Sequence, residues 1–328
     1  MKILFFGDGK WASDSLDRLL KAERQIVGLV LRTQPTDPDL VRRANDQGLP
    51  VFKPAAVNAP EFIATVESLG PDLNLSVSYD QILKAAIRQT APLGFVNFHA
   101  GKLPFYRGRN ILNWALINGE EEIGITAHYV DDGIDTGDII LQRTLPVAWE
   151  DTYGDLLEKV IQAFPDLVAD TVKLVAAGRV DTRSQAGLPG TYFAARGEGD
   201  EWIDWQDTSR NIYNKIRAIS HPGPGARTLL DDAVVKIWKA VYQPEWPVYQ
   251  ATPGQVVGRT AGQGVAVKTG DSVLELHSVE TDTDGVMVPQ WPIGTCLGLN
   301  PAAALATLSG RIARLEKKQR HQEEGDQG

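Results

Sequence analysis

The densest run of chemically capable side chains is Asn97-Phe98-His99-Ala100-Gly101-Lys102-Leu103-Pro104-Phe105-Tyr106-Arg107-Gly108-Arg109. Asn97 and His99 stand two residues apart at the end of an apolar run, so on a strand both side chains leave the same face. An amide that donates hydrogen bonds beside an imidazole that moves protons suits acyl transfer. The amide stabilises a developing oxyanion and the ring handles the proton. Asp135, in the turn from Gly133 to Gly137, is a carboxylate able to orient or charge-stabilise His99. A structural histidine beside turn-forming aspartates has the same residue types, and spacing alone leaves both readings open.

Other chemistries are poorly represented. There is no Gly-x-Ser-x-Gly nucleophile elbow and no phosphate loop, and the single cysteine, Cys296, has no histidine near it in sequence. The five histidines, at 99, 128, 221, 277 and 321, form no His-x-x-x-His pair, so no metal is implied. His128 lies between Ala127 and Tyr129 in an alternating stretch and reads as packed. Gly7-Asp8-Gly9-Lys10-Trp11-Ala12 begins like a dinucleotide fingerprint, but Ala12 takes the third glycine position. No acid ends the second strand at Leu31-Arg32-Thr33-Gln34, so the segment reads as a tight strand-to-helix turn.

Strand and helix patterns alternate through the first half of the chain. Apolar runs at 2–6, 26–31, 73–78 and 94–98 read as buried strands, separated by helical spacing at 13–20, 39–47, 60–69 and 80–90. A loop at 100–109, a helix at 110–118, strands at 123–130 and 138–142 and a long helix at 151–177 follow. This pattern predicts an α/β fold with a Rossmann-like, mostly parallel sheet over residues 1–180, positioning the Asn/His/Asp trio where a parallel strand ends. A polar, Gly-rich linker is expected at 181–204 and a small, mainly β, barrel-like domain at 205–300. Leu305, Leu308, Ile312 and Leu315 mark a helix over 301–317, with a disordered tail at 318–328.

The chain has 328 residues, 43% of them hydrophobic, which is ample for a core and excludes a disordered protein. Acidic residues outnumber basic ones 42 to 33, for a net charge of −9, which argues against a protein built mainly to grip nucleic acid. One thiol excludes an intramolecular disulfide and fits a reducing, cytoplasmic setting. No apolar run reaches the length of a membrane span.

Asn97-x-His99-x-x-x-Leu103-Pro104-x-x-x-Gly108, followed 36 residues after His99 by Asp135 within Gly133-Ile134-Asp135-Thr136-Gly137-Asp138, resembles the signature of the 10-formyltetrahydrofolate-dependent formyltransferases. The likeness extends through Trp205, Ile216-Arg217-Ala218 and Pro222–Ala226; Gly101-Lys102 stands where the family usually has Ser-Leu. The resemblance implies a formyltransferase fold with an OB-like C-terminal domain. It implies 10-formyltetrahydrofolate as formyl donor, without a metal, and Asn97, His99 and Asp135 as catalytic residues. Donor contacts are implied at Gln81, Ile82, Leu83, Arg109 and the turn Asp131, Asp132, Gly133 and Ile134. Lys10, Trp11 and Tyr106 are candidates for the acceptor. Only fifteen residues separate Arg32 from Gly48, so the basic insertion typical of the tRNA enzymes looks absent. Tyr106-Arg107-Gly108-Arg109, Leu112-Asn113-Trp114 and Asn118-Gly119 resemble the amino-sugar enzymes. The expectation is therefore a nucleotide-linked amino sugar as acceptor, with nucleic acid unexpected, and methionyl-tRNA formylation or formyl-folate hydrolysis as alternatives. The C-terminal β domain can bind substrate, build a homodimer or brace the fold.

Overall fold

The computed structural model describes residues 1–33, 37–231, 233–260, 262–299 and 301–325. It divides into two compact units, Met1–Asp200 with Arg217–Gly223, and Glu201–Ile216 with Pro224–Gly328. In the first, β1 (Lys2–Gly7), α1 (Lys10–Lys21), β2 (Gln25–Val30), α2 (Pro38–Asp46), β3 (Val51–Phe52), α3 (Pro60–Leu69), β4 (Leu73–Val77), α4 (Ala85–Arg88) and β5 (Phe95–His99) alternate as the apolar periodicity predicts. They are followed by β6 (Arg107–Gly108), α5 (Ile111–Ile117), β7 (Glu122–Tyr129), β8 (Ile139–Pro146), α6 (Tyr153–Ala176) and β9 (Tyr192–Phe193).

Seven strands form one sheet in the order β3-β2-β1-β4-β5-β7-β8. The first five are parallel, and β7 and β8 continue the sheet antiparallel. β4 is buried along its whole length and β1 from its second residue, which is why both read as unbroken apolar runs rather than alternating ones. Leu4, Phe6, Val30, Val66, Ile87 and Phe95 share one core cluster. The helix expected over 80–90 shortens to α4 because Gln81 is used elsewhere. Its side chain accepts from the Val57 amide at 2.8 Å and donates to the Pro54 carbonyl at 2.9 Å, holding the segment as a loop.

The expected linker is not free-standing. Residues 181–200 belong to the first unit, where β9 pairs with β6 and Arg183 exchanges main-chain hydrogen bonds with Ile139.

The division falls within α7 (Ser209–Ile219), whose residues up to Ile216 belong to the second unit, together with strands β10 (Ala226–Leu230), β11 (Ala233–Val241), β12 (Val256–Thr260), β13 (Gly264–Lys268), β14 (Val273–Thr281) and β15 (Gly285–Met287). Together the strands make an antiparallel sheet in the order β10-β11-β14-β13-β12, with β15 also on β14. The last helix, α8, runs Pro301–Gly325, past the end expected at 317. No helix breaker intervenes between Glu316 and Gly325, so the helix continues where a disordered tail was expected. The final residues of that tail, 326–328, lie outside the described set. Among the described residues no helix is long and apolar enough to cross a membrane.

α6 starts with a reciprocal cap. Thr152 accepts from the Asp155 amide while the Asp155 carboxylate accepts from the Thr152 amide at 2.9 Å. Thr152→Ala removes the side-chain acceptor and is expected to cost about 1 kcal/mol. In urea unfolding this reads as a lower midpoint with an unchanged slope; an unchanged midpoint would assign the cap no weight.

Candidate functional site

Antiparallel pairing of β5 with β7 sets Asn97 directly opposite His128, and His99 opposite Thr126. Residues facing each other across a ladder share a face, so Asn97, His99 and His128 project together. Asp135 reaches them from the turn after β7. It adopts φ 54°, a left-handed conformation that aspartate tolerates better than most residues. Its Oδ2 lies 3.6 Å from His99 Nδ1 and accepts from the Gly108 amide at 2.9 Å. Its Oδ1 lies 3.4 Å from His128 Nε2 and 3.5 Å from Asn97 Nδ2. The structure therefore brings together the trio picked out in the sequence and adds His128, which is buried as expected but also touches two of its members.

The ring nitrogens have distinct duties. His99 Nε2 is 2.7 Å from the Tyr106 carbonyl, so in the neutral ring this nitrogen carries the proton and Nδ1 presents a lone pair toward Asp135. By the same logic, His128 Nδ1 donates to the Tyr129 carbonyl at 2.8 Å, leaving Nε2 to accept from Asn97 Nδ2 at 3.2 Å. Burial pushes the His99 imidazole below its ordinary value, against the opposing pull of Asp135 and the Tyr106 carbonyl. Burial alone would raise Asp135. Attraction to the His99 and His128 rings, which acts when either ring is protonated, and the hydrogen bond from the Gly108 amide outweigh it and hold the carboxyl well below the usual range. A neutral base thus faces a buried carboxylate that stabilises any proton the ring takes up.

A second layer fixes the turn. Gln185 Nε2 donates to the Asp135 carbonyl at 3.1 Å and to the Gly137 carbonyl at 2.6 Å, and Arg107 donates to Gln185 Oε1 at 2.8 Å. Gly108 is delivered by β6, whose partner β9 comes from the stretch expected to be a linker. A Cβ on Gly101 would overlap the His99 ring and the Tyr106 carbonyl. With the ring and the Tyr106 carbonyl in these positions, a side chain at residue 101 cannot be accommodated without a shift.

The remaining candidates fall into two groups. Ile82 and Ile134 are exposed at 68% and 55%, giving two apolar side chains on adjacent loops. Arg88 ties those loops together: it donates to the Leu83 and Asp131 carbonyls and pairs with Asp132 at 2.5 Å. Gln81 is occupied in holding its loop, Leu83 is buried in the core, and Gly133 donates to Asp131 Oδ1 at 3.1 Å. Arg109 is exposed, one residue beyond Gly108. The acceptor candidates are engaged within the fold. Trp11 stacks on Phe164 with ring centroids 5.1 Å apart, Lys10 pairs with Asp14 at 2.7 Å, and Tyr106 stacks on Phe193 while donating to Glu120 at 2.5 Å. Tyr106 also lines a cavity of about 540 Å³ with Ala100, Phe105, Ile111 and Phe193.

The direction of the His99 shift gives a signed expectation. A folded-state value below the ordinary 6.5 means that the unfolded chain takes the proton first as pH falls. The stabilisation is therefore complete above 6.5 and drains away between 6.5 and the lower folded value. An NMR titration should place the His99 midpoint below 6.5, and His99→Asn should flatten the stability loss over that interval. A midpoint above the ordinary value would contradict the neutral-base geometry.

Two family models match the chain: formyl transferase over residues 1–172, and the formyl transferase C-terminal domain over residues 196–291. A methionyl-tRNA formyltransferase of Symbiobacterium thermophilum is 36% identical over 290 residues, covering 85% of this chain and 88% of its own. One from Desulforamulus reducens is 31% identical over 315 residues, covering 91% and 98%. A solved N-formyltransferase from Helicobacter canadensis, in complex with folinic acid and dTDP-3-aminofucose, superposes with a TM-score of 0.63 at 20% identity, covering 84% of this chain and 99% of that one. At that identity it speaks to the fold alone. These findings overturn the expectation of a nucleotide-linked amino sugar as acceptor with nucleic acid unexpected, since relatives alike along most of the chain are methionyl-tRNA formyltransferases by name. The short β2–α2 connection and the net negative charge misled because total charge averages over the whole surface, while a substrate meets only part of it. Matched over both of its domains, the chain belongs to the formyltransferase family.

Proposed function

We propose that the protein formylates the α-amine of methionyl-tRNA, with 10-formyltetrahydrofolate as donor. The observation that carries this reading is the likeness, over most of its length, to curated methionyl-tRNA formyltransferases. The site chemistry is compatible with it. The amine nitrogen attacks the formyl carbon, forming a C–N bond and a tetrahedral oxyanion. The carbon–N10 bond then breaks, N10 takes up a proton and tetrahydrofolate leaves. The attacking amine has to be neutral and has to lose a proton, so a base within reach is required.

In this reading His99 Nδ1 receives that proton and returns it to N10, and Asp135 stabilises the charged ring in between. The amide of Asn97 turns an N–H toward the oxyanion. Its contact with Asp135, at 3.5 Å, is long and is the one most readily exchanged for substrate. His128 keeps hold of the other N–H and so fixes the amide's orientation. Donor binding fits the loop pair tied by Arg88: Ile82 and Ile134 offer apolar surface to a flat heterocycle, main-chain groups beside them offer hydrogen bonds, and exposed Arg109 suits an anionic tail.

Formyl transfer from 10-formyltetrahydrofolate should be measured with methionyl-tRNA, with amino-sugar nucleotides and with no acceptor. Formylated methionyl-tRNA is expected. Formylation of a sugar with tRNA untouched, or formate released without an acceptor, would overturn the acceptor assignment. His99→Ala and Asp135→Asn should each lower turnover by about 10²–10⁴-fold while the chain stays folded. Near-normal turnover in either variant would remove that residue from the mechanism.

A further inference from the structure

α8 lies beyond residue 291, where the match to the family's C-terminal domain ends. Leu305, Leu308, Ile312 and Leu315 recur at spacings of three, four and three along it, and all are more than half exposed, at 64%, 52%, 55% and 64%. That spacing is the a-d-a-d seam of a coiled coil, with Leu305 and Ile312 at a and Leu308 and Leu315 at d. In a coiled coil such a seam is buried against a second helix.

The flanking charges identify that helix. On the same heptad frame Arg311 falls at g and Glu316 at e, both exposed. In a parallel pair, g of one helix faces e of the next heptad on its partner, five residues on, so Arg311 of each chain meets Glu316 of the other, twice by symmetry. Antiparallel pairing with the stripe fully overlapped would instead set Arg311 against its own copy. Ile at a with Leu at d in the second heptad favours two strands over three. Gly310 and Lys317 fall at f, facing outward, where a glycine leaves the seam intact.

We propose that α8 is a self-association helix: two copies of this chain pair in parallel through Leu305, Leu308, Ile312 and Leu315, with Arg311 and Glu316 setting the orientation. The seam is two heptads long, so the pair is expected to be weak and concentration-dependent. Sedimentation of the full chain tests it. The mass-average should rise from 35.8 kDa toward twice that value as concentration increases. Leu308→Lys combined with Ile312→Lys should hold the chain at monomer mass throughout; these side chains are exposed, so folding and formyl transfer in dilute solution should be unaffected. Glu316→Arg should weaken the dimer, and adding Arg311→Glu should restore it. A monomer at every concentration, or a dimer untouched by the double lysine variant, overturns the proposal. So does a Glu316→Arg chain that dimerises like the parent, because the parallel pairing would then be wrong. A double lysine variant that keeps the parent's mass but loses affinity for tRNA would assign the stripe to RNA instead.

Discussion

The first unit is organised around keeping the charge on one carboxylate away from water. An ionised group at the depth of Asp135 is stable only if donors replace its lost hydration. The Gly108 amide does so directly, and Asn97 and the two imidazoles surround the rest of the carboxyl. Each donor constrains another part of the fold. Gly108 is in place because β6 pairs with β9, Asn97 and His128 meet because β5 and β7 keep their register, and the turn holds its shape because Gln185 caps its carbonyls. Loss of any of these partners would leave a buried charge short of solvation, so local geometry and global fold are tied to the same group.

How much of this could be read from the sequence depended on range. Asn97 and His99 were legible because a strand's period of two is local, and Asp135 because its turn is dense in glycine and aspartate. His128 was seen and set aside, since alternation along its own strand says only that it is buried. What makes it part of the site is a cross-strand register that no single segment carries. Gln185 was hidden for the same reason: a polar, Gly-rich stretch has the composition of a linker, and only its pairing with β6 and its contact with Arg107 turn it into structure. Gly101 had the opposite fate. It stands out as a departure from the family pattern, and the lack of room for a side chain there is visible only once the His99 ring is placed against it.

The acceptor was the hardest property to read, for an electrostatic reason. Fields from surface charges fall off within about 8–10 Å at ordinary ionic strength. A net charge of −9 therefore describes solubility better than it describes any one substrate face. The length of one loop is likewise a statement about one segment, whereas the likeness to curated methionyl-tRNA formyltransferases runs along most of the chain.

The two histidines divide labour according to what each must do when charge moves. His99 is held neutral by burial while a carboxylate waits on its bare nitrogen, so the ring is a weak base at rest and is stabilised only after it has taken up a proton. That suits a group which, in the proposed reaction, must accept a proton from one nitrogen and give it back to another. His128 has one nitrogen on the Tyr129 carbonyl and the other on the Asn97 amide, so both of its positions are occupied and it is suited to hold rather than to shuttle. Placing a fixed imidazole beside a mobile one lets Asp135 serve both: it completes the scaffold through Oδ1 and faces the moving proton through Oδ2.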